Sequence, residues 1–154
     1  MHQLYRIVIG YFLLFTLLLL LSALALFVHK QGFSSEGIMH YYQGNSECGI
    51  NPKSIEGLRE ILIYHIGSIA LLIMVLAHFF LFANTKIKSM VAKYISILYS
   101  AAAVIIIAPF IILYGFSSFA YIKILALVIL LGGLTFLLLL LGYFVFIGLK
   151  KSST

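Results

Sequence analysis

Residues 64–82 read YHIGSIALLIMVLAHFFLF, nineteen positions without an acid, a lysine or an arginine. At 1.5 Å per helical residue this run is roughly 28 Å long, close to the ~30 Å hydrocarbon core of a bilayer. Only a helix satisfies its own backbone there, so the run reads as a membrane span, extended by its neighbours to Ile61–Asn84. Within it stand two titratable side chains, His65 and His78, where polar groups are costly.

Working outward, three more segments pass the same length test: Ile7–Val28, Tyr94–Tyr114 and Ile122–Leu149. Composition agrees, since 64% of the 154 residues are hydrophobic and 9% charged, with a mean hydropathy of +1.18. Soluble domains hold about 45–50% apolar and about 25% charged residues. The expected fold is therefore all-α, a single four-helix transmembrane bundle over residues 1–154. Arg6 ahead of an apolar run that ends in Ala23-Leu24-Ala25 also has the outline of a signal peptide. That run exceeds the usual h-region of about 7–15 residues, which favours a retained span.

Lysine and arginine set the orientation. Arg6 precedes the first span, Lys86, Lys88 and Lys93 occupy the second connection, and Lys150 and Lys151 follow the fourth span. The opposite side carries Lys30, Lys53, Arg59 and Lys123 together with all four acids, Glu36, Glu47, Glu56 and Glu60. Both termini are expected to be cytoplasmic, and the formal charge of +6 is read as a topology signal. No basic run interleaves with aromatics as a nucleic-acid groove requires, so no nucleic-acid partner is expected.

The outward loop, residues 29–60, is too long for a simple connection. Ser34 or Ser35 can cap a short helix with Glu36 in its first turn, Ile38, Met39, Tyr41 and Tyr42 give it an apolar face, and Gly44 can end it. Asn51-Pro52 then offers a cap and a first-turn proline for the second long helix. The loop is expected to be a partly helical lid over the outer mouth of the bundle. Inside the spans, Ala92, Ser96 and Ser100 form a small stripe suited to close helix approach, as do Gly132, Gly133 and Gly142, and Pro109 is expected to bend the third span.

Chemistry in such a chain is narrow. There is no aspartate, and no glutamate within a span, which removes carboxylate relays, Ser-His-Asp triads and paired-carboxylate hydrolysis. No phosphate-binding motif occurs and no catalytic set emerges. The histidines remain, as imidazole ligands for iron, copper or zinc. His65 and His78 are separated by 13 residues, roughly 20 Å in depth and about 140° in azimuth, so they cannot share one metal. Partners for His65 on the outer side are His29 and His40, which makes His65 with His40 or His29 a candidate haem or metal pair shielded by Tyr41, Tyr42 and Tyr64. His78 has only His2 on its own side, and a buried hydrogen bond to Ser or Thr of a neighbouring helix suits it better. Cys48, the single cysteine, extends this to a copper or zinc reading through His29, His40 and Cys48.

Two histidines about four turns apart on one span resemble the arrangement in four-helix di-haem b-type cytochromes, although here one helix carries the pair and the other spans have no internal histidine. That resemblance implies haem b, with Arg59 at a propionate, and electron transfer between quinol and a periplasmic or membrane redox partner. The Ser-Ser-Glu-Gly, Tyr-Tyr-Gln-Gly and Asn-Pro-Lys-Ser segments followed by HIGSIALLIMVLAH, residues 33 to 82, are also similar to small bacterial inner-membrane proteins of unassigned function. The competing expectation is a cofactor-free accessory subunit of the bacterial inner membrane that docks a partner through loop 29–60.

Overall fold

The computed structural model describes residues 3–46, 49–80 and 85–146, with no side-chain account of Gln3 or of 85–87. Among these residues it is all-helical: α1 (Gln3–Lys30), α2 (Ser35–Gln43), α3 (Ile55–Phe79), α4 (Thr85–Leu113) and α5 (Ser118–Phe146). Four of the five are long and apolar enough to cross a membrane. The expected spans are all present, with ends that differ in instructive ways. Helix α4 starts at Thr85, so Lys88 and Lys93 belong to helical turns and not to a loop. It also runs on through Pro109 to Leu113, where the ring leaves the carbonyl four residues back without its usual donor.

Because lipid is as apolar as leucine, the spans associate through close fit and not through water exclusion. Helix α5 is central, packing on α4, α1 and α3, while α3 also packs on α4. The main core joins Ile9 of α1, Ile73 and Leu76 of α3, Leu98 of α4, and Leu134 and Leu137 of α5. Gly133 allows the tightest approach, since a Cβ there would lie 2.4 Å from Leu98 Cδ2. Gly142 sits near Leu13, but Gly132 faces open space. The Ala92, Ser96 and Ser100 stripe corrects the expectation: all three are exposed. Ser96 and Ser100 donate instead to the carbonyls of Ala92 and Ser96, which satisfies their hydroxyls without a neighbouring helix.

The first turn of α1 meets the last turn of α5. Arg6 donates to the Phe146 carbonyl at 3.3 Å and lies over its ring, so a cation closes the last described turn of α5. The opposite end carries the lid. Ser34 caps α2 by accepting from the Gly37 amide at 3.0 Å, and Gly44 ends it at φ +80°. Nine residues are too few for a helix stable by itself, so α2 depends on burying Ile38 and Tyr42. Both enter a second core with Phe27, Leu58, Ala108, Ile112 and Ala120. The chain returns through an antiparallel bridge between Asn45 and Ile50, and the Lys53 amide donates to the Tyr42 carbonyl. The cap of α3 is Ser54, which accepts from the Gly57 amide at 3.1 Å, and not Asn51 ahead of Pro52. The bridge and the Lys53 bond hold 50–53 outside the helix, so the capping job passes to the next serine.

Candidate functional site

The polar centre of the molecule is Lys123. It stands in the second turn of α5, 4% exposed, within a sequence that is apolar on both sides. A buried ammonium needs partners, and with every acid of the chain between 36 and 60 it uses neutral ones. Its Nζ donates to Gln31 Oε1 at 2.5 Å and to the Tyr42 hydroxyl at 2.5 Å. The rings of Tyr42 and Phe27 face the same cation, their centroids 4.4 and 5.7 Å away. One side chain thus joins the end of α1, the loop after it, the lid and α5.

Other bonds reinforce the same junction. Gln43 Nε2 donates at 2.6 Å to the Ile112 carbonyl, which also accepts from the Gly115 amide at 3.0 Å just past the end of α4. Tyr41 stacks edge-on against Tyr42 at 4.9 Å, and Lys53 Nζ lies 4.8 Å from the Tyr41 ring centroid. Burial pushes the Tyr42 phenol well above its ordinary range, Tyr41 adds to the shift, and the Gln31 amide works against it. Tyr42 therefore stays a neutral hydroxyl that accepts from the lysine. No acid or base pair for catalysis is gathered here; the arrangement fixes α2 over the mouth.

The described histidines lie on three helices. His65 lies on the exposed face of α3, its Nδ1 2.8 Å from the Ile61 carbonyl of its own helix. His40 contacts Glu36 one turn earlier on the lid, at 3.4 Å. His29 is exposed in the last turn of α1, His78 is exposed in the last turn of α3, and Arg59 is exposed near the start of α3. Among the described residues no hydrogen bond joins His65 to His40 or His29. Tyr64, assigned to shielding, is 77% exposed, and Tyr42 is engaged by Lys123. No group of three or more His, Cys, Asp or Glu side chains is gathered for a metal among the described residues. His65 and His40 each have a contact within their own helix. His2, Cys48, Lys150 and Lys151 lie outside the described residues.

Between α2 and the returning loop there is a shallow open concavity lined by Glu36, Met39, His40, Gln43, Asn45 and Pro52, among others. Lys123 was legible only as a charge on the outer side. The sign that it differs from Lys30, Lys53 and Arg59 is its setting, SFAYIKILALVIL, where no polar neighbour lets it reach water.

Neither a curated protein nor a solved structure matches the chain. A family model does, over residues 32–153, and its description is a transmembrane helical domain. That match begins before the lid and covers α2 to α5, including Tyr42 and Lys123. The chain thus belongs to the Aq_1264_TM family of transmembrane helical domains.

Proposed function

We propose that the protein is an accessory subunit of the bacterial inner membrane, with no cofactor of its own, that docks a partner protein on its outer lid. The observation that carries this reading is the fixing of α2. A buried lysine, Gln43 and two apolar anchors hold a nine-residue segment that no span needs for crossing the bilayer. Rigid presentation lowers the ordering cost of binding, and the concavity beside Glu36, Met39 and His40 offers both apolar and charged contacts. The asymmetry of Arg6, Lys86, Lys88, Lys93, Lys150 and Lys151 supports cytoplasmic termini and an outward lid.

Photo-crosslinkers placed at Met39 and at His40 test the docking. One membrane or periplasmic protein captured from both positions, and no longer captured from the Met39 position in Glu36→Ala with His40→Ala, is the expected result. Capture equal to that from the exposed Tyr64 position counts against a specific surface. A Soret band that disappears in His65→Ala overturns the cofactor-free reading and restores the haem one. The orientation is checked with Cys48, which a membrane-impermeant maleimide should label on spheroplasts; labelling only after lysis places the lid inside.

A further inference from the structure

We propose that the groove along α1 at the end opposite the lid is a binding site for an anionic glycerophospholipid, with its phosphate on Arg6 and an acyl chain between α1 and α5. Ile7, Gly10, Tyr11 and Leu14 line the groove, closed on one side by Phe146 of α5. Their spacing of three, four and seven residues puts them on one helix face. From Arg6 to Leu14 this face runs roughly 12 Å along the axis. It descends from the polar boundary into the apolar depth of the span. Gly10 is its floor: a Cβ there would meet Phe146 Cζ at 3.5 Å, and a larger side chain would fill the channel.

The occupant follows from charge and depth. At this depth the surroundings are hydrocarbon, which selects an apolar chain. At the boundary stands one guanidinium, already oriented by the Phe146 carbonyl and ring. That carbonyl uses one of its five N–H donors, and the others remain for phosphate oxygens. No acidic side chain of α1 or α5 competes for them, since neither helix contains an Asp or Glu. Basic clefts between spans are established headgroup sites. The same groove could take a helix of another protein, but apart from Arg6 and the Tyr11 hydroxyl its lining side chains are apolar and would not specify one.

The test uses the full chain in mild detergent, loaded from an equimolar mixture of phosphatidylglycerol and phosphatidylcholine and read by native mass spectrometry. Retained phosphatidylglycerol should exceed phosphatidylcholine about fivefold. Arg6→Gln should abolish the preference and Arg6→Lys should keep most of it, whereas a role confined to capping α5 would lose it in both. Gly10→Leu should reduce retention of both lipids. Because that variant can disturb folding, a phosphatidylglycerol with a diazirine in its acyl chain is applied to the unaltered protein. Labelling of Ile7, Tyr11 or Leu14 supports the site, and labelling confined to other helices overturns it. Displacement of the lipid by soluble phosphate, or recovery of a protein crosslinked through Tyr11 in place of lipid, also overturns it.

Discussion

Tyr42→Phe isolates the bond that ties the lid to the bundle. It deletes one hydroxyl and keeps the ring that stacks on Tyr41 and faces the Lys123 cation. The lysine then retains Gln31 as its side-chain acceptor while still buried. Hydrogen bonds to charged groups contribute about 1.5–3 kcal/mol, and at ~1.4 kcal/mol per factor of ten the lid should open roughly ten to a hundred times more often. Hydrogen–deuterium exchange of peptides covering 35–46, in detergent, reads that opening directly. The amides of α2 should exchange faster by that factor, while those of α4 and α5 away from the lid stay unchanged. Equal protection of α2 in the variant and the parent would refute the latch, and uniform loss along α5 would show that Tyr42 supports the whole bundle instead.

Other outcomes follow from the same packing. Gly133→Ala forces a Cβ toward Leu98 at the α4–α5 contact and should cost about 1–3 kcal/mol, lowering the thermal midpoint in detergent, whereas Gly132→Ala beside it should be neutral because its Cβ meets open space. Gly44→Ala combines φ +80° with a Cβ 2.5 Å from the Ile50 carbonyl oxygen, so α2 protection should be lost by exchange while the spans remain intact. The raised Tyr42 phenol means that the folded lid disfavours phenolate. The contribution of Tyr42 to lid stability should then be constant below about pH 10, the unfolded tyrosine value, and fall as pH rises above it, a fall that exchange should show in the parent and not in Tyr42→Phe.

The spans were legible because bilayer thickness imposes a length and composition that no other environment demands; the four apolar runs have no soluble explanation. The lid was legible for a local reason, since Ser34, Glu36 and Gly44 are helix boundary residues at helix spacing. Interior faces were not. A four-residue stripe of alanine and serine has the same pattern whether it meets a helix of its own chain or not, and here it is exposed. The start of α3 moved to Ser54 because a cross-chain bridge from Asn45 to Ile50 claims the preceding residues, a contact that no local motif announces. Lys123 escaped for a related reason: its partners Phe27, Gln31 and Tyr42 are more than eighty positions away. The histidines attracted attention as rare groups, yet rarity does not bring side chains together, and His65 and His40 are each satisfied within one turn of their own helix.

The account rests on Lys123 reaching Tyr42 beneath the lid. Solid-state NMR of the protein in lipid bilayers, with lysine labelled at 15Nζ and tyrosine at 13Cζ, measures that contact through dipolar dephasing. A lysine nitrogen strongly dephased by a tyrosine ring carbon, and no longer so in Tyr42→Phe, is the predicted result. A Lys123 nitrogen with no tyrosine carbon near it would contradict the account.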